Sequence, residues 1–393
     1  MSTTRTLPFD RPGPLDPPPL YAQLRQTEPV SAVVTPGGQQ GWLVTSYDAV
    51  AKVLSDPRFG LTPPGTPSEG NDTLFQDGAA HTRLRRLVSK AFTARRIATL
   101  RPRVEQIAEE HVRAVVGAGP PADLVAGFAA PLAALVIGEL LGVTLPDRER
   151  FRALVDAVSS TDFLAADVES AAAAGRAWND LIGYAAELVV TARERPGDDL
   201  LSTLITVRDA DDGRLSDAEL TGMAASLVAA GYLTARNAIS VGVIQLVTEG
   251  RLAGLAGAPE AVDPVVEEVL RRQAGIVGEP FPRWAQADVE LAGVRIASGD
   301  LVLVRLEAAN RDPGHFTDPD RFLPDRRADS LHLAFGRGAH HCLGAALARV
   351  ELGAAFTALA RHLPGLRLDV PIGQLVWVHG QTDGGPVALP VTW

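Results

Sequence analysis

Thiol chemistry is almost absent from this 393-residue chain, which carries one cysteine, Cys342. A single thiol cannot close an internal disulfide, and this points to a reducing, intracellular setting. Nor can it hold an iron–sulfur cluster, which takes several cysteines. Long apolar runs are missing too. Residues 1–20 hold six prolines and no apolar stretch, so they do not read as a secretory signal. No later segment offers the roughly 18 uninterrupted apolar residues of a membrane span. These absences predict a cytoplasmic protein without a membrane anchor. A basic excess is also lacking. The net charge is −10, which argues against nucleic acid as a partner. Positive charge is nevertheless concentrated locally, at Arg83, Arg85, Arg86, Lys90, Arg95, Arg96, Arg101 and Arg103.

With 46% hydrophobic and 21% charged residues the chain can bury a large core. Beyond the proline-rich arm at 1–20, "GWLVTSY" (Gly41 to Tyr47) reads as a strand and "DAVAKVLS" as a short helix, followed by a Pro/Gly-rich loop from Asp56 to Gly78. From His81 to about Val207 apolar residues recur at helical spacing. Ser216 and Glu219 form a capping box that opens an apolar, proline-free segment running to about Val247. That predicts a helix of about 30 residues, long enough to cross a domain. "PVVEEVLRR" (Pro264 to Arg272) reads as a further helix. "ADVELAGVRIASGDLVLVRL" alternates like one small antiparallel sheet turning at Ser298 to Asp300. Residues 310–341 are irregular over a length that usually signals function. "LGAALARVELGAAFTALARHL" is helical and "GGPVALPVTW" reads as strand. The expected architecture is mostly α: a single domain over 1–393 with a long central helix and small peripheral β-sheets.

Cys342 falls where a glycine-containing loop meets the first turn of a helix. Unpaired amides and the helix dipole there are expected to favour the thiolate. A buried apolar role is the ordinary fate of a lone cysteine. The consecutive His340, His341 and Cys342 cannot all turn to one zinc ion, and no base or oxyanion site for a cysteine nucleophile is identifiable. A single axial thiolate for a haem iron needs only one cysteine, with Gly336 and Gly338 allowing a close backbone approach. The glycines do not form a dinucleotide fingerprint, since His341 stands where a third glycine is required.

"FGRGAHHCLG" (Phe335 to Gly344) resembles the haem-binding loop of the cytochrome P450 family at every defined position. Glu268 and Arg271 resemble its glutamate-x-x-arginine helix, "ANRDPGHFTDPDRF" its meander, "HTRLRRLVSKAF" its haem-facing helix, and "LPVTW" the C-terminus of its bacterial soluble members. The resemblance implies heme b (iron protoporphyrin IX) ligated by Cys342, with Phe335, Gly336 and Gly344 in the supporting loop. It implies propionate contacts from His81, Arg85, Arg283 and His340. His81 and Arg85, four apart, share a helix face. Glu268 and Arg271 become a buried pair tied to the meander through Arg321.

On the distal side the resemblance assigns Gly231 and Thr234 to the reaction, but the usual acid position holds Leu233, which cannot relay a proton. The expected activity is that of an oxidoreductase, a monooxygenase that hydroxylates or epoxidises a small secondary metabolite. The alternative is oxidative C–C or C–N coupling of aromatic substrates such as cyclic dipeptides, without oxygen insertion. A non-enzymatic haem sensor is a distant third, since no output domain follows residue 393. A peroxide-driven reaction is disfavoured because Arg236 lies on another part of the helix surface from Thr234. Electrons are expected from NAD(P)H through a ferredoxin reductase and a small acidic ferredoxin, docking on Arg83 and Arg86. Substrate specificity is expected from Asp56 to Gly78, Asp162 to Trp178, Ala230 to Thr234 and "AGIVGEPF". Two lysines among 37 basic residues fit a GC-rich bacterial genome, such as an actinomycete.

Overall fold

The computed structural model describes residues 5–66, 73–144, 147–159, 168–209, 213–326, 331–378 and 383–393. The proline-rich arm is docked. Arg5–Thr6 pairs in parallel with Val30–Val34, Arg11 bonds Glu307 at 3.1 Å, and a helix starts at Pro19.

The central helix runs Asp217–Thr248, 32 residues, or about 48 Å at 1.5 Å per residue. Its capping box is formed: Ser216 Oγ accepts from Glu219 N at 3.1 Å and Glu219 Oε2 accepts from Ser216 N at 2.7 Å. The helix is apolar on nearly all sides because other helices surround it. Gly242 marks its closest crossing. A side chain there would overlap Phe356 of the helix that follows Cys342 (Ala345–His362, the cysteine helix) and touch Val269 of the glutamate-x-x-arginine helix (Val262–Gln273). These three helices form the frame behind the cysteine loop.

The sheet expected over residues 287–306 divides into two. Val289–Leu291 and Val294–Ile296 close a hairpin on Ala292 and Gly293, both at positive φ, whereas Leu301–Val304 leaves it for a six-stranded sheet. There it runs parallel to Gln40–Val44 and antiparallel to Arg283–Ala285. All four of its residues are buried. Burial on both faces, rather than alternation, therefore describes this strand. The pairing also fixes Arg283, which stands opposite Val302. "LPVTW" enters a separate three-stranded sheet between Arg367–Leu368 and Ala122–Asp123. Residues 310–337 hold no regular element among those described.

Candidate active site

The cysteine loop is held by its own backbone. Cys342 N–H donates to Phe335 O at 2.9 Å, and Gly336 N–H to Leu333 O at 2.8 Å. Gly336 and Gly338 have φ of 68° and 76°, values that L side chains resist. A side chain at Gly338 would also collide with Leu54 O at 2.5 Å. The close approach made possible by Gly338 is therefore to the end of the Tyr47–Ser55 helix.

The Cys342 side chain is open to solvent, yet its sulfur is surrounded by protein at depth, so it lines an internal opening rather than the outer surface. Burial raises the thiol above its ordinary pKa. The Gly344 amide and the charges of Arg85 and Arg349 pull the other way without reversing the shift. The expected pull of the loop amides towards the thiolate is present in the Gly344 N–H, but burial opposes it more strongly. In the bare chain desolvation wins, and the anion requires a partner such as a metal. The central helix also has an accessible stretch. Ala230, midway along it, is exposed, and Gly231, Leu233 and Thr234 are partly so, between fully buried turns.

The residues assigned to propionates converge only in part. His81 and His340 pack with ring centroids 4.2 Å apart and planes tilted by 35°, and His340 Nε2 lies 2.9 Å from Asp77 Oδ1. His81 Nε2 is buried without a hydrogen-bond partner. Burial, reinforced by His340 and Arg85, lowers the His81 pKa to about 4. Arg283 is 5% exposed, and its guanidinium donates to the backbone carbonyls of Phe281 at 2.6 Å and Pro282 at 3.4 Å. Burial lowers its pKa, opposed by the charge of Asp77. Arg85 turns to His341 O at 2.6 Å. A buried orphan nitrogen and two desolvated cations are an unbalanced arrangement that acidic groups would satisfy. The residues present therefore fit haem. Sγ would take the iron, while His81, Arg283 and His340 would face the propionates.

Glu268 and Arg271 form the expected buried pair, with Arg271 Nε and NH2 donating to Glu268 Oε2 and Oε1, each at 2.8 Å. Their link to the meander differs from expectation. The Arg321 side chain is 72% exposed and paired with Asp318, and only its carbonyl reaches Arg271, at 3.4 Å. The second guanidinium on Glu268 belongs to Arg326, at 3.3–3.4 Å, while Leu323 N–H donates to Glu268 at 2.9 Å and Arg271 to Asn310 O at 2.7 Å.

Distally, Thr234 Oγ donates to Ala230 O at 2.5 Å. The missing side chain of Gly231 faces Ile137, so helix packing accounts for that glycine. Its assignment to the reaction gains no support from its position. Tyr232 is fully buried and donates to Asp156 at 2.5 Å. Leu233 packs against the main core. Of the expected specificity segments, residues 67–72 and 162–167 lie outside the described residues. The arginine cluster is partly consumed internally, by Arg83 on Glu219 at 2.5 Å, Arg96 on Thr203 at 2.6 Å and Arg103 on Glu139 at 2.6 Å.

The family model for cytochrome P450 matches residues 260–364, which include the glutamate-x-x-arginine helix, the meander and the cysteine loop. The mycinamicin IV hydroxylase/epoxidase of Micromonospora griseorubida is 44% identical over 95% of this chain and 94% of its own. This chain belongs to the cytochrome P450 family. Nocardicin C N-oxygenase of Nocardia uniformis subsp. tsuyamanensis is 42% identical over 99% of both chains. The crystal structure of CYP105P1 in complex with filipin I matches with a TM-score of 0.90 at 38% identity, over 100% of this P450 and 99% of that chain. This P450 is an oxidoreductase whose cofactor is heme b, and its fold is mostly α with small sheets. Arg349, Glu267 and Arg326 went unnoticed in the sequence. The paired Glu267-Glu268 was the available signal, since adjacent helical residues point about 100° apart and so reach different partners.

Proposed function

We propose that this P450 is a single-domain haem-thiolate monooxygenase in which Cys342 ligates the iron, and that it hydroxylates or epoxidises a small secondary metabolite. The observation that carries this reading is the Cys342 sulfur at an internal opening, with Arg85 and Arg349 acting on it and the unpartnered His81 nitrogen among the desolvated cations. Bound haem supplies dioxygen activation and cleavage of the O–O bond, favoured by the electron-rich thiolate. One oxygen atom enters the product and the other leaves as water, so electrons and protons must be delivered. The Thr234 hydroxyl places its own proton on Ala230 O, leaving its lone pairs to accept from water. Leu233 contributes no proton. The relatives named for hydroxylation, epoxidation and N-oxygenation support oxygen insertion.

The absence of an acid at Leu233 favours a second reading, oxidative coupling of aromatic substrates such as cyclic dipeptides, in which hydrogen atoms are removed and no oxygen is inserted. Turnover under labelled dioxygen separates the two. Label in the main product is expected, and unlabelled coupled product would replace the first reading with the second. An optical titration of the ferric protein with terpenes, polyketides, aromatic acids and cyclic dipeptides identifies the substrate class to use. Leu233→Glu is expected to speed formation of the same product.

The same reading includes a cytoplasmic enzyme supplied with electrons by a ferredoxin and its reductase. Arg83 is engaged with Glu219, so the docking face shifts to the exposed Arg95 and Arg101. Reduction that slows steeply with added salt is expected. Salt-independent reduction would exclude this docking.

A further inference from the structure

One cation beside the cysteine loop is held more firmly than solubility requires. Arg349 Nε and NH2 donate to Glu267 Oε1 and Oε2 at 2.6 and 2.9 Å, and NH1 donates to Ala345 O at 3.2 Å. Glu267 is fixed in turn by His332 Nε2 at 3.1 Å. The Arg349 guanidinium lies 4.7 Å over the ring of Phe335, and Phe335 O is the acceptor that holds Cys342 N–H. Arg85 approaches the same loop through His341 O. A bidentate carboxylate, a backbone carbonyl and an aromatic face together restrict a side chain that would otherwise retain much rotamer freedom. The result is an ion pair held at a fixed place, its positive end over Phe335 beside a group that must carry negative charge.

We propose that Arg349 is a positioning residue for the cysteine ligand: clamped by Glu267 and seated on Phe335, it stabilises electron density on Cys342 Sγ and so raises the reduction potential of the haem iron. This rests on the haem-thiolate reading above. One-electron reduction adds one negative charge to the iron–thiolate unit and breaks no protein bond, so a nearby cation favours the reduced form.

The test is the midpoint potential of the haem-loaded protein by spectroelectrochemistry, with the ferrous carbonyl spectrum as control. Arg349→Gln is expected to move the potential to more negative values while keeping the thiolate-type carbonyl band. Arg349→Lys, which retains charge without the bidentate clamp, is expected to recover most of the shift. An unchanged potential in Arg349→Gln overturns the proposal, as does an equal shift in both variants. Weaker ferredoxin binding at unchanged potential would make Arg349 a docking residue instead. Should Arg349→Gln not load haem, Arg349→Met, which keeps the stem over Phe335, provides the same comparison. A wild-type protein lacking the thiolate-type band would fail the haem-thiolate reading itself, before any variant is compared.

Discussion

The cysteine loop and the middle of the central helix are built differently. On the cysteine side, bonds converge: Glu268 accepts from Arg271, Arg326 and Leu323, Arg271 reaches Asn310 as well, and Glu267 joins Arg349 to His332. Two of these bonds, from Leu323 N–H and to Asn310 O, end on backbone and fix the path of the chain. On the central-helix side, Thr234 bonds only its own helix, Ala230 and Gly231 offer no polar side-chain group, and Leu233 is apolar. The first side defines one geometry for a cofactor, whereas the second defines a surface whose shape and polarity a substrate must match. Fold and cofactor can therefore be assigned firmly from the first side while the substrate stays open on the second.

The sharpest way to break this contrast is to cut the convergent network. Glu268→Ala leaves Arg271 buried without its anion and is expected to cost about 3–5 kcal/mol. Little haem-loaded protein should be recovered, as judged by the haem-to-protein ratio; full loading would show that the network is dispensable. Next comes Gly242→Val, which pushes a side chain into Phe356 and is expected to cost about 1–3 kcal/mol in denaturant unfolding. Tyr232→Phe removes the bond to Asp156 from a residue turned away from the opening. A loss of about 0.5–1.5 kcal/mol is expected, with substrate titrations unchanged; an altered titration would mean that the distal surface is less independent than it looks.

The last prediction is a pH dependence at His81. Its pKa is about 4 in the folded chain against 6.5 ordinarily, so the unfolded state takes up a proton that the folded state refuses. Its contribution to stability is full above pH 6.5 and is lost as pH falls towards 4. Haem-free wild type should therefore lose more stability than His81→Phe across that window. Parallel curves would show that His81 is not the group responsible.

Much of this was legible because it depends on local chemistry. The capping box at Ser216 and Glu219 and the central helix follow from spacing along one helix, whereas the burial of the Glu268–Arg271 pair follows from the family resemblance. What escaped depends on contacts between distant segments. Nothing near Leu301 announces a partner at Gly41 to Val44, and spacing cannot tell which of Arg321 and Arg326 turns back to Glu268. The balance at the thiol is hidden from the sequence for another reason. Helix ends and amides are visible in a sequence, but the desolvation that outweighs them is set by the whole surrounding fold.

The central helix is accessible at its middle and closed in beyond it, and this has a consequence for amide hydrogen exchange. Around Ala230 to Thr234 the helix is in part accessible and a hydroxyl shares the Ala230 carbonyl, whereas from Ile239 to Leu246 every residue is buried. The second half should exchange only when the whole molecule unfolds, and the first through smaller local openings. One helix thus carries both a slow clock for global stability and a faster one that ligand bound there would slow.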